Sequence, residues 1–322
     1  MIRRFLVVLL LLLALIVVIV TPILTCTQLG GQLFSALKPA TPTPTPTPLP
    51  SPTPILTVEG TPPAVTSESA YLLDMDTGHM LADIHGEQPL PMASTTKIMT
   101  ALIAIQTGNL DQFVTIGQDA YDEVHLRDGS SAQLVVGDQL TLKDLLYGLM
   151  LPSGDDAAIA IADALAGSPE NFVQRMNLFA YRLHLFQTHY LNPDGLTIYT
   201  ASGPDPDHYS TAADLTRLAR YAMSIPLFAQ IVQTPAYVLA ATAQHHAYHW
   251  TTTNTLLEAY PGATGIKTGY TVEAGYCLVF SAIHNDHHLI GTILDDADDA
   301  HRFNDAKALL DWGFSLPLLP PS

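Results

Sequence analysis

Ser94-Thr95-Thr96-Lys97-Ile98-Met99-Thr100-Ala101-Leu102-Ile103-Ala104-Ile105 joins a reactive pair of side chains to a helix. Ile98, Ala101, Leu102 and Ile105 recur at i, i+3, i+4 and i+7, the spacing of an apolar stripe on an α-helix. Pro91 precedes the segment, and Gly108 follows it as a stop signal. A helix over 94–107 puts Ser94 and Lys97 on one face, where their side chains can meet. A serine hydroxyl is a weak nucleophile until a base takes its proton, and a lysine does so in its neutral form. Alone, the four residues read more readily as an ordinary helix start with a surface lysine.

Two further motifs follow in order. Ser153-Gly154-Asp155 comes after Leu145, Leu146, Leu149 and Met150, a helix opened by Thr141 with Asp144 three residues on, as in a capping box. Pro152 ends that helix, and a new alanine-rich one runs through Ala158, Ile161 and Leu165. Ser153 is thus expected in a tight turn between helices, well placed to point a hydroxyl into a cleft. The bland reading is a helix-capping Ser-Gly-Asp. The third motif, Lys267-Thr268-Gly269, reads as an edge strand running on into Tyr270 and Thr271. Lys267 supplies a cation and Thr268 a hydroxyl for a carboxylate, while Gly269 lets another backbone approach closely.

In this order the three motifs match the three-part site of serine penicillin-binding proteins and their β-lactamase relatives. The chain resembles the low-molecular-mass D-alanyl-D-alanine carboxypeptidases of the S11 serine peptidase type, from about Ser67 to about Leu316. Four further stretches carry the resemblance: Ala70 to Gly78 as an opening hairpin, Thr188-His189-Tyr190-Leu191-Asn192-Pro193-Asp194-Gly195-Leu196 as a turn, His208-Tyr209-Ser210-Thr211-Ala212-Ala213-Asp214-Leu215 as a helix start, and Glu273-Ala274-Gly275-Tyr276 after the third motif. The fold implied is α/β (α+β): an antiparallel sheet covered by helices plus a helical lobe, of the serine β-lactamase and penicillin-binding-protein transpeptidase type. Coarse patterning agrees, with strands near 70–75, 279–283 and 288–294 and helices near 94–107, 141–151, 156–165, 169–183, 211–224 and 301–313.

The resemblance implies roles residue by residue. Ser94 attacks the carbonyl between the last two D-alanines of a peptidoglycan stem peptide, Lys97 takes its proton, and Ser153 relays a proton to the leaving D-alanine. Lys267 keeps the pocket positive, Thr268 and Arg302 bind the terminal carboxylate, the N–H groups of Ser94 and Tyr270 form an oxyanion hole, and Gly269 and Asp155 complete the substrate-binding set. β-Lactam antibiotics, as mimics of the D-Ala-D-Ala end, would acylate Ser94. No cofactor and no metal are implied.

Asp155 departs from the pattern, where the family usually has Asn. An ionised Asp only accepts hydrogen bonds, whereas an amide also donates. Beside Lys97 it would favour the charged lysine and weaken the base, so Asp155 is expected to stay protonated or to turn toward another cation.

The setting comes from the N-terminal end. Arg3 and Arg4 precede an apolar run. Residues 5–24 read as a transmembrane signal-anchor, since about 20 helical residues span the roughly 30 Å hydrocarbon layer. The arginines place residues 1–4 in the cytoplasm and the rest on the cell-wall side. A cleaved signal peptide that releases the protein is the alternative, and lipidation at Cys26 fits poorly after Thr25. Residues 25–64 form a Thr/Pro-rich linker whose tract over 40–54 favours extended polyproline II, about 3.1 Å per residue. Residues 65–318 form the catalytic domain. A net charge of −17 argues against nucleic acid as a partner. With only two cysteines, Cys26 at the membrane end and Cys277 in an apolar run, no disulfide framework is expected.

Other clusters read blandly. His245, His246 and His249, and His284, His287 and His288, read as surface histidines, and there is no His-Glu-x-x-His. Asp295, Asp296, Asp298 and Asp299 read as a solvated loop before the helix that carries Arg302. A class A β-lactamase is excluded because no Glu lies between Glu170 and Glu258 to deacylate the enzyme. D,D-endopeptidase cleavage of cross-links, or a non-catalytic wall-binding protein that keeps the fold, remain as alternatives to the carboxypeptidase.

Overall fold

The computed structural model describes residues 55–56 and 60–319. The apolar run 5–24, Cys26 and the tract 40–54 lie outside the described residues. Among the described residues, no helix is long and apolar enough to cross a membrane.

Five strands form the central sheet: β1 (Ser69–Asp74), β2 (Met80–Ile84), β3 (Ala263–Thr271), β4 (Gly275–His284) and β5 (His287–Asp296). Their spatial order is β3-β4-β5-β1-β2, antiparallel throughout. The two ends of the chain's folded part thus meet in one sheet, with β3 at its edge. Side chains alternate across a strand, and here both faces are apolar. Ala70, Leu72, Leu278, Phe280, Leu289 and Ile293 face one core, whereas Tyr71, Leu73, Cys277, Val279, Ile290 and Leu294 face another. Burial on both sides explains why β4 and β5 read as continuous apolar runs and why their ends are longer than the sequence suggests.

Six of the helices among the described residues frame the sheet and the site. These are α1 (Lys97–Thr107), α2 (Leu142–Met150), α3 (Asp155–Ala166), α4 (Pro169–Arg182), α5 (Ala212–Met223) and α6 (Asp299–Ser315). The side chains of Thr141, Ser168, Thr211 and Asp298 each accept the backbone N–H three residues on. α6 covers the first face of the sheet through Phe303, Ala306, Leu309 and Leu310, and α5 packs on the second. Helices α1 to α4 form the helical lobe beside it. α1 departs from the expected amphipathic stripe: Met99, Thr100, Ile103 and Ala104 are buried along with Ile98, Ala101 and Leu102. A helix apolar all round belongs inside a core, and α1 is the central helix about which the lobe packs.

The acidic run is also placed differently from the loop expected of it. β5 continues through Asp296, which is buried, Asp298 caps α6, and Asp299 stands in its first turn. The short strand Ile55–Leu56 pairs antiparallel with Leu318–Leu319 and ties the two ends of the domain together.

Truncation of Leu309, fully buried between α6 and the sheet, is expected to cost about 2–5 kcal/mol, the range for a core Leu→Ala. Urea unfolding of Leu309→Ala, read as a lower midpoint at unchanged slope, checks this.

Candidate active site

The cleft lies between edge strand β3 and the helical lobe, and Ser94 sits at its base. A single 3-10 turn, Ala93–Thr96, precedes α1. Ala93 enters it with φ of +46°, a left-handed conformation rare for a side chain with a Cβ. The two threonines fix the turn: Thr95 Oγ1 donates to Met92 O at 2.6 Å and Thr96 Oγ1 to Ala93 O at 2.7 Å. His208 braces it from outside. Its Nδ1 accepts the Leu191 N–H at 3.1 Å, so Nε2 carries the hydrogen and donates to Thr96 Oγ1 at 2.9 Å. Burial pushes His208 down to about 3, so it stays neutral in this role.

Lys97 is fully buried, and its Nζ has three partners: Ser94 Oγ at 2.8 Å, Asp155 Oδ1 at 2.5 Å and the Asp194 carbonyl at 2.7 Å. Three acceptors match the three hydrogens of an ammonium. The sequence reading has Asp155 protonated or turned toward another cation; the structure instead pairs it with Lys97 itself. Its second oxygen accepts the Ser130 N–H at 2.7 Å. Burial pushes Asp155 up to about 6, against the pull of Lys97. Asp155 and Asp156 open α3, where the helix dipole favours negative charge. Asp156 accepts Ala132 N at 2.9 Å and Leu134 N at 3.2 Å. The two acids together pin the 130–134 loop over the cleft. Ser153, two residues before Asp155, is buried at φ of +65° in the turn between α2 and α3.

On β3, Lys267 and Gly269 are two apart and so share a face, which looks onto the nucleophile. A Cβ on Gly269 would stand 3.1 Å from Ser94 N and 3.1 Å from Ala93 Cβ, so glycine lets the strand close on the turn. Lys267 is buried, with Nζ donating to Thr268 O at 2.8 Å. Burial, with Lys97 nearby, holds it well below the ordinary lysine range, while Asp155 pulls the other way. Thr268 Oγ1 lies 2.6 Å from Thr253 Oγ1. Tyr270 is half exposed and its ring packs on Tyr276 at 4.4 Å. Arg302 lies behind the strand: one terminal nitrogen donates to Gly269 O at 2.9 Å and Cys277 O at 3.2 Å, the other pairs with Asp299, and Nε has no partner among the described residues.

Ser94, Lys97, Asp155, Lys267 and Gly269 are thus gathered at one place. Thr268, Tyr270 and Ser153 are their chain neighbours, and Arg302 reaches the site through the backbone of Gly269. Four contributors escaped the sequence reading. Asp194 and Gly195 lie in the quoted Asn192-Pro193-Asp194-Gly195 turn, but nothing local says that its carbonyl meets Lys97. Ser130 and Thr253 arrive from loops far along the chain. The histidine clusters stay apart from the site: His246 bonds Asp138 and His288 bonds Asp76, each at 2.9 Å. Cys277 is buried, and burial pushes its thiol up to about 12.

A serine held by a buried lysine beneath an edge strand bearing a second lysine is the arrangement of a class of acyl-transfer enzymes. A family model described as Peptidase S11, D-alanyl-D-alanine carboxypeptidase, matches residues 57–298. The D-alanyl-D-alanine carboxypeptidase of Streptomyces sp. strain K15 is 37% identical over 268 residues, covering 80% of this chain and 90% of that protein. The D-alanyl-D-alanine carboxypeptidase DacF of Bacillus subtilis is 32% identical over 77% of this chain, which spans 62% of its length. The crystal structure of the Streptomyces K15 DD-transpeptidase superposes with a TM-score of 0.74 at 37% identity, over 80% of this chain and 100% of that one. A Mycobacterium tuberculosis D-alanyl-D-alanine carboxypeptidase structure gives 0.73 at 29% identity, over 81% of this chain and 96% of that one. The chain belongs to the S11 family of serine D-alanyl-D-alanine carboxypeptidases.

Gly195 has φ of +95°, and a Cβ there would stand 2.0 Å from the Ala93 carbonyl. Gly195→Ala is therefore expected to displace the nucleophile turn and to lower Tm by several degrees, since about 1 kcal/mol is worth 2–4 °C in a domain of this size. A thermal melt beside the wild type checks this.

Proposed function

We propose that the chain removes the terminal D-alanine from peptidoglycan stem peptides through an acyl-enzyme on Ser94. The observation that carries the reading is the Ser94 Oγ–Lys97 Nζ contact of 2.8 Å, set directly beneath Gly269 of the edge strand.

An extended peptide adds to an open strand edge by backbone hydrogen bonds. With its terminal carboxylate toward Lys267 and Thr268, its scissile carbonyl falls over Ser94. Ser94 Oγ attacks that carbonyl carbon and Lys97 takes the hydroxyl proton. Lys97 must first shed one of its own, and Asp155 is the acceptor placed for it at 2.5 Å. Transfer along that contact turns a buried ion pair into a neutral pair and leaves a free amine facing Ser94, which answers the objection that an aspartate here would only weaken the base. The oxyanion is held by the N–H groups of Ser94 and Tyr270. Gly269 turns its carbonyl toward Arg302, so the next residue presents its polar groups to the open edge. Each such donor is typically worth about 2.7–4 kcal/mol. Ser153 passes a proton to the leaving amine, D-alanine departs, and water then hydrolyses the ester. Arg302 contributes positive charge behind the strand and holds the Gly269 carbonyl. β-Lactams, which acylate the same serine, are inhibitors on this reading.

The apolar run 5–24 with Arg3 and Arg4 before it supports a single-pass anchor, with the Thr/Pro tract 40–54 as a spacer and the catalytic domain, closed by the Ile55–Leu56 and Leu318–Leu319 strand pair, on the cell-wall side.

Release of D-alanine from a peptide ending in Lys-D-Ala-D-Ala, lost in Ser94→Ala, is the expected result; release that persists in the variant sinks the mechanism. In the wild type kcat/KM is expected to fall as pH drops through about 6, where Asp155 takes up a proton and can no longer accept one from Lys97. Asp155→Asn keeps an acceptor oxygen but cannot ionise, so that acid limb should vanish. An unchanged limb would trace it to Asp194, which burial also pushes up to about 6.

A further inference from the structure

Two cavities, of about 320 and 270 Å³, open on either side of a shared wall made by Leu196, Thr197, Thr271 and Glu273. The first reaches Ala93 beside the nucleophile, and the second reaches Tyr270. Both lie where β3 leaves Ser94 and runs out past Thr271. A substrate paired with this edge, its carboxylate at Lys267, puts the residue before the two D-alanines here.

The chemistry of the wall is specific. Glu273 accepts from Thr197 Oγ1 at 2.7 Å and from Tyr199 OH. Burial acts the other way, but these bonds hold its carboxyl below the usual carboxylate range. An ionised carboxylate offers about four acceptor positions, so the two donors leave room for a third partner. Asp128 and Asp205 add negative charge at the outer ends of the two cavities. Among the described residues that line the two cavities, the one cation is Arg127, engaged by Glu123 at 2.6 Å and by the Thr197 carbonyl at 3.2 Å. Tyr270 and Tyr199, 52% and 66% exposed, offer flat apolar surface to an aliphatic stem. An acidic end beyond an apolar trough fits an unbranched side chain that ends in a primary ammonium.

We propose that Glu273 is the specificity determinant of an amine-binding subsite that takes the free side-chain amino group of the diamino residue preceding D-Ala-D-Ala. The inference rests on the carboxypeptidase reading and names which stem peptides that site prefers. Stems whose amine is free are favoured over stems whose amine is already acylated in a cross-link.

The test uses the full-length chain and two peptides, Nα-acetyl-Lys-D-Ala-D-Ala and Nα,Nε-diacetyl-Lys-D-Ala-D-Ala, and reads the ratio of their kcat/KM values. The wild type should favour the free amine about tenfold at low salt, with the preference shrinking as ionic strength rises. Glu273→Gln should bring the ratio close to one, and Glu273→Asp should restore most of it. A ratio near one in the wild type, one indifferent to salt, or one that survives Glu273→Gln overturns the subsite while D-alanine release leaves the activity standing. Release from neither peptide by the wild type overturns the activity reading and the subsite with it.

Discussion

A lysine ammonium closed off from water must find an acceptor for each hydrogen, and Lys97 finds three from three parts of the chain: Ser94, Asp155 and Asp194. Removing any one leaves a buried charge short of a partner, which is far costlier than the net worth of the bond. That requirement organises the lobe. α1 carries the lysine and is buried all round. α3 begins at Asp155 because its first turn has to supply a carboxylate. The Asn192-Pro193-Asp194-Gly195 turn bends so that a carbonyl, not a side chain, meets the amine. Asp194 then folds its own carboxyl back to the Leu196 N–H.

What was legible was local. Thr141 with Asp144 announces a helix start, and its cap forms as the spacing implies. The edge position of β3 was readable from Lys267-Thr268-Gly269, because glycine beside a cation suggests that something approaches from outside. The extent of the inner strands was not, since a sheet covered on both faces has no period-two signal to mark its ends. Nor was the use of Asp155. A sequence says that an acid stands near the motif lysine, but only the fold shows that both of its oxygens are already bonded. The Ser130 and Thr253 contacts join residues 25 and 15 positions apart across loops, and no periodicity carries that information.

The charges are arranged against the grain of the molecule. A chain of net charge −17 keeps Lys97, Lys267 and Arg302 buried at one spot. Low surrounding polarizability strengthens the pull of these groups on an anionic terminus. The positive potential is local to the closed end of the cleft, and the acidic wall at Glu273 takes over within the length of a short peptide. On the proposed reading, a substrate with a negative end and a positive side chain is aligned by polarity before any close contact forms.

An uncovered strand edge is a hazard, because its unpaired backbone groups will accept a strand from any chain, including another copy. Most of the β3 edge is guarded. The helix Pro226–Val232 packs along its first residues, and the nucleophile turn covers its middle at Gly269. Only the last few residues, around Tyr270 and Thr271, lie open. That opening is long enough for the two or three hydrogen bonds of a peptide end, yet too short to nucleate a shared sheet. The β3 edge is thereby open to a peptide end and closed to a second sheet.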